Sequence, residues 1–135
     1  MAEVFVDTSA IYAALVADDQ AHSEARAGLA RLGREGAVLV THSFVIQETV
    51  ALLQARSGID AVRRFDDEVL PALAVVWVTD SLYQRSMAAL LAVSSRRVSL
   101  TDWMSFEVMR DRGIQRAFAF DKHFRQQGFE LVTEP

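Results

Sequence analysis

The chain has 135 residues and a mass of 15.0 kDa, enough to bury about two-thirds of its unfolded surface in one core, so a single domain over residues 1–135 is expected. With 51% hydrophobic and 24% charged residues it is neither fibrous nor disordered, and 0 Cys excludes disulfides, thiolate metal sites and cysteine nucleophiles. A net charge of -4 excludes holding nucleic acid by bulk positive charge, so action on a polyanion would need a cation. Glu3 stands where a signal peptide would carry positive charge, and no apolar run approaches the ~20 residues of a membrane span. A soluble, cytoplasmic protein is expected.

In chain order, "EVFV" (Glu3 to Val6) reads as a buried strand, and Asp7-Thr8-Ser9 behind it can cap a helix through "AIYAALV". "HSEARAGLARLG" is an amphipathic helix closed by Gly33. "AVLVT" is a second strand, after which Ser43 can cap the long helix "FVIQETVALLQARSG", stopped by Gly58. "DAVRRFDDEVL" makes another helix, up to Pro71, and "LAVVWVT" a third strand. Asp80 or Ser81 starts "LYQRSMAALLAV", and Ser99 starts "LTDWMSFEVMRDRG", ended by Gly113. "RAFAF" and "FELVT" complete the strands. Near-continuous apolar strands alternating with helices predict an α/β fold, a mostly parallel sheet covered by helices on both faces.

Ligands of open α/β sheets bind beyond the carboxyl ends of the strands, where strand order reverses. Asp7 follows the first strand and Asp121 the fourth, so both can point into one crevice. Each is also a good helix cap. Asp102, three positions after Ser99, fits a capping box, with Ser105 on its face as a supporting polar group. Glu48 differs, because Phe44, Val45, Ala51 and Leu52 around it are apolar. A carboxylate on such a face needs a cation or a tight donor, and Arg56 is one alternative partner. Four converging carboxylates would repel one another unless a cation sits among them, and hard oxygen ligands select Mg²⁺ or Mn²⁺. Such a metal can activate water for attack on a phosphodiester.

The stretches "VFVDTSAIYAAL", "DDQAHSEA", "THSFVIQETVALL" and "RRVSLTDWMSFEVMRDRGIQRAFAFDKHFRQQGFELV" cover nearly the full length. In them the sequence resembles the PIN-domain ribonucleases, and among these the VapC-type toxins of VapBC toxin–antitoxin pairs. "SLTDWMSFEVM" followed by "AFAFDKHF" is the specific part. The resemblance implies a three-layer α/β/α sandwich and a Mg²⁺- or Mn²⁺-dependent endoribonuclease with metal-binding, catalytic Asp7, Glu48, Asp102 and Asp121. It implies Thr8 as a supporting polar group, an RNA substrate, a cognate antitoxin and a homodimer. Trp103 departs from the small residue or Cys usual after that aspartate.

Lys122 and Arg125 are candidate RNA contacts behind Asp121, as are Tyr12 and Trp103 beside the acids. His123 reads as flanking, and His22 and His42, which lack ligand spacing, as structural. Phe5, Phe44, Trp77, Phe106, Phe118, Phe120 and Phe129 are expected in the core. Two other aspartate-led phosphoryl-transfer folds fit poorly: a haloacid-dehalogenase phosphatase wants an acid where Ser9 stands, and a receiver domain wants paired acids on its first strand. The remaining alternative is a non-catalytic module that keeps the fold to bind a protein.

Overall fold

A computed structural model describes residues 2–133; Met1, Glu134 and Pro135, the ends of the expected domain, lie outside the described residues. Five parallel strands form one sheet in the order β3-β2-β1-β4-β5, with β1 Glu3–Val6, β2 Val38–His42, β3 Leu73–Val76, β4 Arg116–Phe118 and β5 Glu130–Leu131. The chain walks outward from β1 to β3, then returns across the sheet to β4 and β5. Right-handed crossovers therefore put α1 (Thr8–Leu15), α2 (His22–Glu35), α3 (Ser43–Ser57) and α4 (Ile59–Arg64) on one face. The opposite face receives α5 (Asp80–Val93), α6 (Leu100–Arg112) and the short α7 (His123–Gln126). The packing agrees, since α1 touches α2 and α3 while α5 touches α6.

The expected three-layer α/β/α sandwich is thus present, and the sheet is parallel throughout. Phe5, Phe106, Phe118 and Phe124 are fully buried in its core, with Phe106 and Phe124 edge to face at 5.2 Å. Glycine 28 is needed in mid-helix because a Cβ there would lie 2.8 Å from Cε1 of Phe118, closer than real contacts allow.

Several local expectations are corrected. Helix α2 passes Gly33 and ends at Gly36, whose left-handed φ of 66° closes it. The helix expected up to Pro71 loosens at Phe65 into a π-helical turn, Phe65–Val69, then a 3-10 turn, Leu70–Ala72, which lets the Phe65 ring reach the core. Helix α3 is capped by His42, whose Nδ1 accepts from the N–H groups of Phe44 and Val45. Ser43 instead accepts from the Val78 N–H at 2.9 Å. Trp77, expected in the core, is 71% exposed, and Phe44 is also exposed. Strand β3 lies at the sheet edge and ends at Val76, so its apolar run outlasts its burial.

Candidate active site at the carboxyl edge of the sheet

Strand order reverses between β1 and β4, and the carboxyl ends of these neighbours open one crevice. Asp7 leaves β1 with its N–H bonded to the Phe118 carbonyl of β4 at 3.0 Å. The first turn of α6 brings Asp102, the segment after β4 brings Asp121, and α3 brings Glu48. All four acids line a cleft of about 460 Å³, together with Thr8, Ser9, Tyr12, Arg56, Arg97 and His123.

Asp7 is 4% exposed and caps α1. Its Oδ2 accepts from the Ser9 hydroxyl at 2.7 Å and the Ser9 N–H at 3.2 Å. Burial foremost, then the charge of Asp121, pushes its pKa up to about 7, against the pull of those Ser9 bonds. Burial also raises Asp121, with the charge of Asp102 adding to it and the His123 N–H opposing it. Asp102 holds a complete capping box: its N–H donates to Ser99 Oγ at 3.1 Å, and its Oδ2 accepts from the Ser99 N–H at 3.0 Å. Capping and cation binding do not compete here, because an ionised carboxylate has about four acceptor sites and a cap uses one or two.

The capping interpretation of Asp7 and Asp102 is therefore correct and leaves room for a second role. Ligand atoms of Asp102, Asp121 and His123 lie within 4.8 Å of one another, close enough to surround one ion. Carboxylates gathered at the partly desolvated end of a sheet fit a divalent cation with oxygen preference.

Glu48 reaches the cleft but not by the expected route. It is half-buried, and the buried stripe of α3 runs through Val45, Thr49 and Leu53. Helix α3 is apolar on nearly every side, so periodicity alone could not choose its inner face. Thr8 is buried and joins α1 to α3: its Oγ1 donates to the Val45 carbonyl at 3.3 Å and accepts from Thr49 Oγ1. Ser105 is buried away from the acids, accepting from His42 Nε2 at 2.9 Å and donating to the Thr101 carbonyl.

Among the expected RNA contacts, Tyr12 lines the cleft, with the Arg56 guanidinium 5.5 Å above its ring. Lys122 is exposed beside Asp121. Trp103 is only 5% exposed and packs edge-on against Phe106 at 5.4 Å, so its indole is core. Helical geometry turns Trp103 inward once Asp102 faces the cleft. Arg125 lines a different hollow with Arg31, Glu35 and Arg116, by the β5 edge.

Three participants escaped the sequence. Ser9 joins the two central strands, since its Oγ also accepts from the Phe120 N–H at 3.0 Å. Arg97 enters the cleft from the loop before α6. His123 is no mere flank: its Nδ1 is 3.2 Å from Asp102 Oδ2, and its N–H donates to Asp121 Oδ1 at 3.0 Å. Only Ser9 had a signal, its place two residues after a capping aspartate.

Fold and site together define a parallel α/β protein with a carboxylate-lined cleft at its topological switch point. The chain belongs to the PIN domain family, whose model matches residues 4–130. It is 36% identical over 131 residues to the 23S rRNA-specific endonuclease VapC20 of Mycobacterium tuberculosis, covering 96% of this chain and 97% of the relative. The crystal structure of that VapC20, a sarcin-ricin loop cleaving toxin, superposes with a TM-score of 0.81 over 93% of this chain and 95% of its own. FitAcB from Neisseria gonorrhoeae shares the fold, with a TM-score of 0.68 at 13% identity and 95% coverage of each chain.

Proposed function

We propose that this chain, acting as one domain over residues 1–135, is a divalent-metal-dependent endoribonuclease and the toxin of a type II toxin–antitoxin pair. Its substrate is ribosomal RNA, with the large-subunit RNA named for its 36%-identical relative as the first choice. The observation that carries this reading is the meeting of Asp7, Glu48, Asp102 and Asp121 in one cleft of that shared fold.

Asp7, Asp102, Asp121 and Glu48 would hold Mg²⁺ or Mn²⁺. A cation bound there supplies the Lewis acidity for phosphodiester hydrolysis and offsets charge on the departing oxygen. The chain's own residues do the rest. Ser9 orients the Asp7 carboxylate, and the Thr8–Thr49 hydroxyl pair ties α1 to the helix that carries Glu48. Tyr12, Arg56, Arg97 and Lys122 meet the RNA, the cations supplying the local positive charge that a chain of net charge -4 lacks overall.

A cognate antitoxin is its protein partner. A homodimer is expected, and Trp77, 71% exposed just beyond β3, is an apolar side chain open to a partner. No helix among the described residues is long and apolar enough to cross a membrane, in keeping with work on RNA in the cytoplasm.

The test is incubation of purified protein with ribosomes and with naked ribosomal RNA in EDTA, Mg²⁺ or Mn²⁺, beside Asp102→Asn. Discrete metal-dependent fragments absent from the variant are expected. A folded, metal-binding, antitoxin-free protein that leaves every ribosomal RNA intact would sink the substrate assignment.

A further inference from the structure

We propose that His123 is the positioning residue of the acidic cleft: its ring donates a hydrogen bond to Asp102 while its backbone N–H holds Asp121, so one residue fixes both carboxylates for the cation. The proposal rests on the reading that this cleft binds a divalent ion.

The geometry separates this role from that of a metal ligand. His123 Nδ1 lies 3.2 Å from Asp102 Oδ2 and 4.0 Å from Asp121 Oδ1, with the ring one-quarter exposed. The distance and the acceptor character of a carboxylate make Nδ1 the donor side of this contact in the proposal. With a proton on Nδ1 the ring donates to Asp102 and leaves the cation to the carboxylates. The same Oδ2 of Asp102 also accepts the Ser99 N–H, so two donors from opposite sides of the sequence fix the rotation of this carboxylate. The His123 N–H does the same for Asp121 Oδ1 at 3.0 Å. The ring and the N–H belong to one residue at the start of α7, so a single side chain and its own backbone contact both acids. Outer partners of this kind typically govern metal affinity by roughly ten- to a hundredfold.

The experiment measures Mn²⁺ affinity by titration calorimetry on antitoxin-free protein, for wild type, His123→Ala, His123→Asn and Asp102→Asn. Asparagine keeps a donor near the place of Nδ1 and has no counterpart of Nε2. Melting temperature in EDTA reports folding for each. We expect His123→Ala to weaken Mn²⁺ binding roughly ten- to a hundredfold, His123→Asn to stay within about threefold of wild type, and Asp102→Asn to be the weakest. The proposal is overturned if folded His123→Ala binds as wild type does, or if folded His123→Asn falls as far as His123→Ala. If wild type and Asp102→Asn fail alike to bind Mn²⁺, the metal reading itself is lost, and the positioning role with it.

Discussion

Two buried polar clusters lie side by side at the carboxyl ends of β1 and β2, and they solve the problem of burial in opposite ways. Around β2, donors and acceptors alternate. Two N–H groups point at His42 Nδ1, so the ring proton sits on Nε2 and passes to Ser105, whose own proton goes to the Thr101 carbonyl. The hydroxyls of Thr49 and Thr41 end on the carbonyls of Val45 and Val6. Around β1, acceptor meets acceptor: Asp7, Asp102 and Asp121 share one crevice.

Their titration records the contrast. Burial lowers His42 to about 4, so it stays neutral, while burial and neighbouring charge raise Asp7 to about 7, so it resists ionising. The first cluster is a finished network that fixes helices; the second is an unfinished one that a cation would complete.

The largest expected effect breaks the second cluster. Asp7→Asn should slow RNA cleavage by several kcal/mol of barrier, roughly a thousandfold, and yet stabilise the metal-free fold. A carboxyl raised from 3.8 to about 7 binds extra protons only when folded. Its cost to stability therefore grows as pH rises through that window and is complete above pH 7. Urea titration in EDTA at pH 8 should show a gain of roughly 2–4 kcal/mol; a loss would contradict the contrast.

Next comes the finished network. His42→Ala strands the Phe44 and Val45 N–H groups and the Ser105 hydroxyl and opens a void beside Phe5, costing about 3 kcal/mol by urea unfolding. A third expectation sets the clusters against each other with acid. A histidine lowered from 6.5 to about 4 gives up stability as pH falls between those values, because only the unfolded chain takes the proton. Asp7 gains over much of the same range. Asp121, also raised, gains in both proteins, so the melting temperature of Asp7→Asn should fall further from pH 6.5 to 4.5 than that of the wild type. The smallest effect is Thr49→Val, which removes one hydroxyl from the bonds to Val45 and Thr8, at about 1 kcal/mol and with cleavage within about twofold of wild type.

Legibility in the sequence followed the same division. The acids at the ends of β1 and β4 were readable because a parallel α/β pattern dictates where its strands end. The capping box at Ser99 and Asp102 was readable because its spacing is local. Glu48 was placed at the site, but through a false premise, since a helix apolar all round hides its inner face. The depth of Trp77 depended on β3 being an edge strand, which no local pattern states. His42 as a cap and His123 as a partner of Asp102 depend on which residues the fold brings together. Such contacts, the His123 ring to Asp102 across 21 positions and His42 to Ser105 across 63, have no periodicity to announce them.

The bond between Ser9 and Phe120 joins residues 111 positions apart. Central β1 is made first, and its neighbour β4 almost last. Contacts of such long range close slowly, and chains emerge from the ribosome with the N-terminal part leading. Asp7 therefore waits through most of synthesis for the residues that turn it into part of a site. A truncation before Arg116 leaves Asp7, Glu48 and Asp102 without the β4 wall of the crevice and without Asp121.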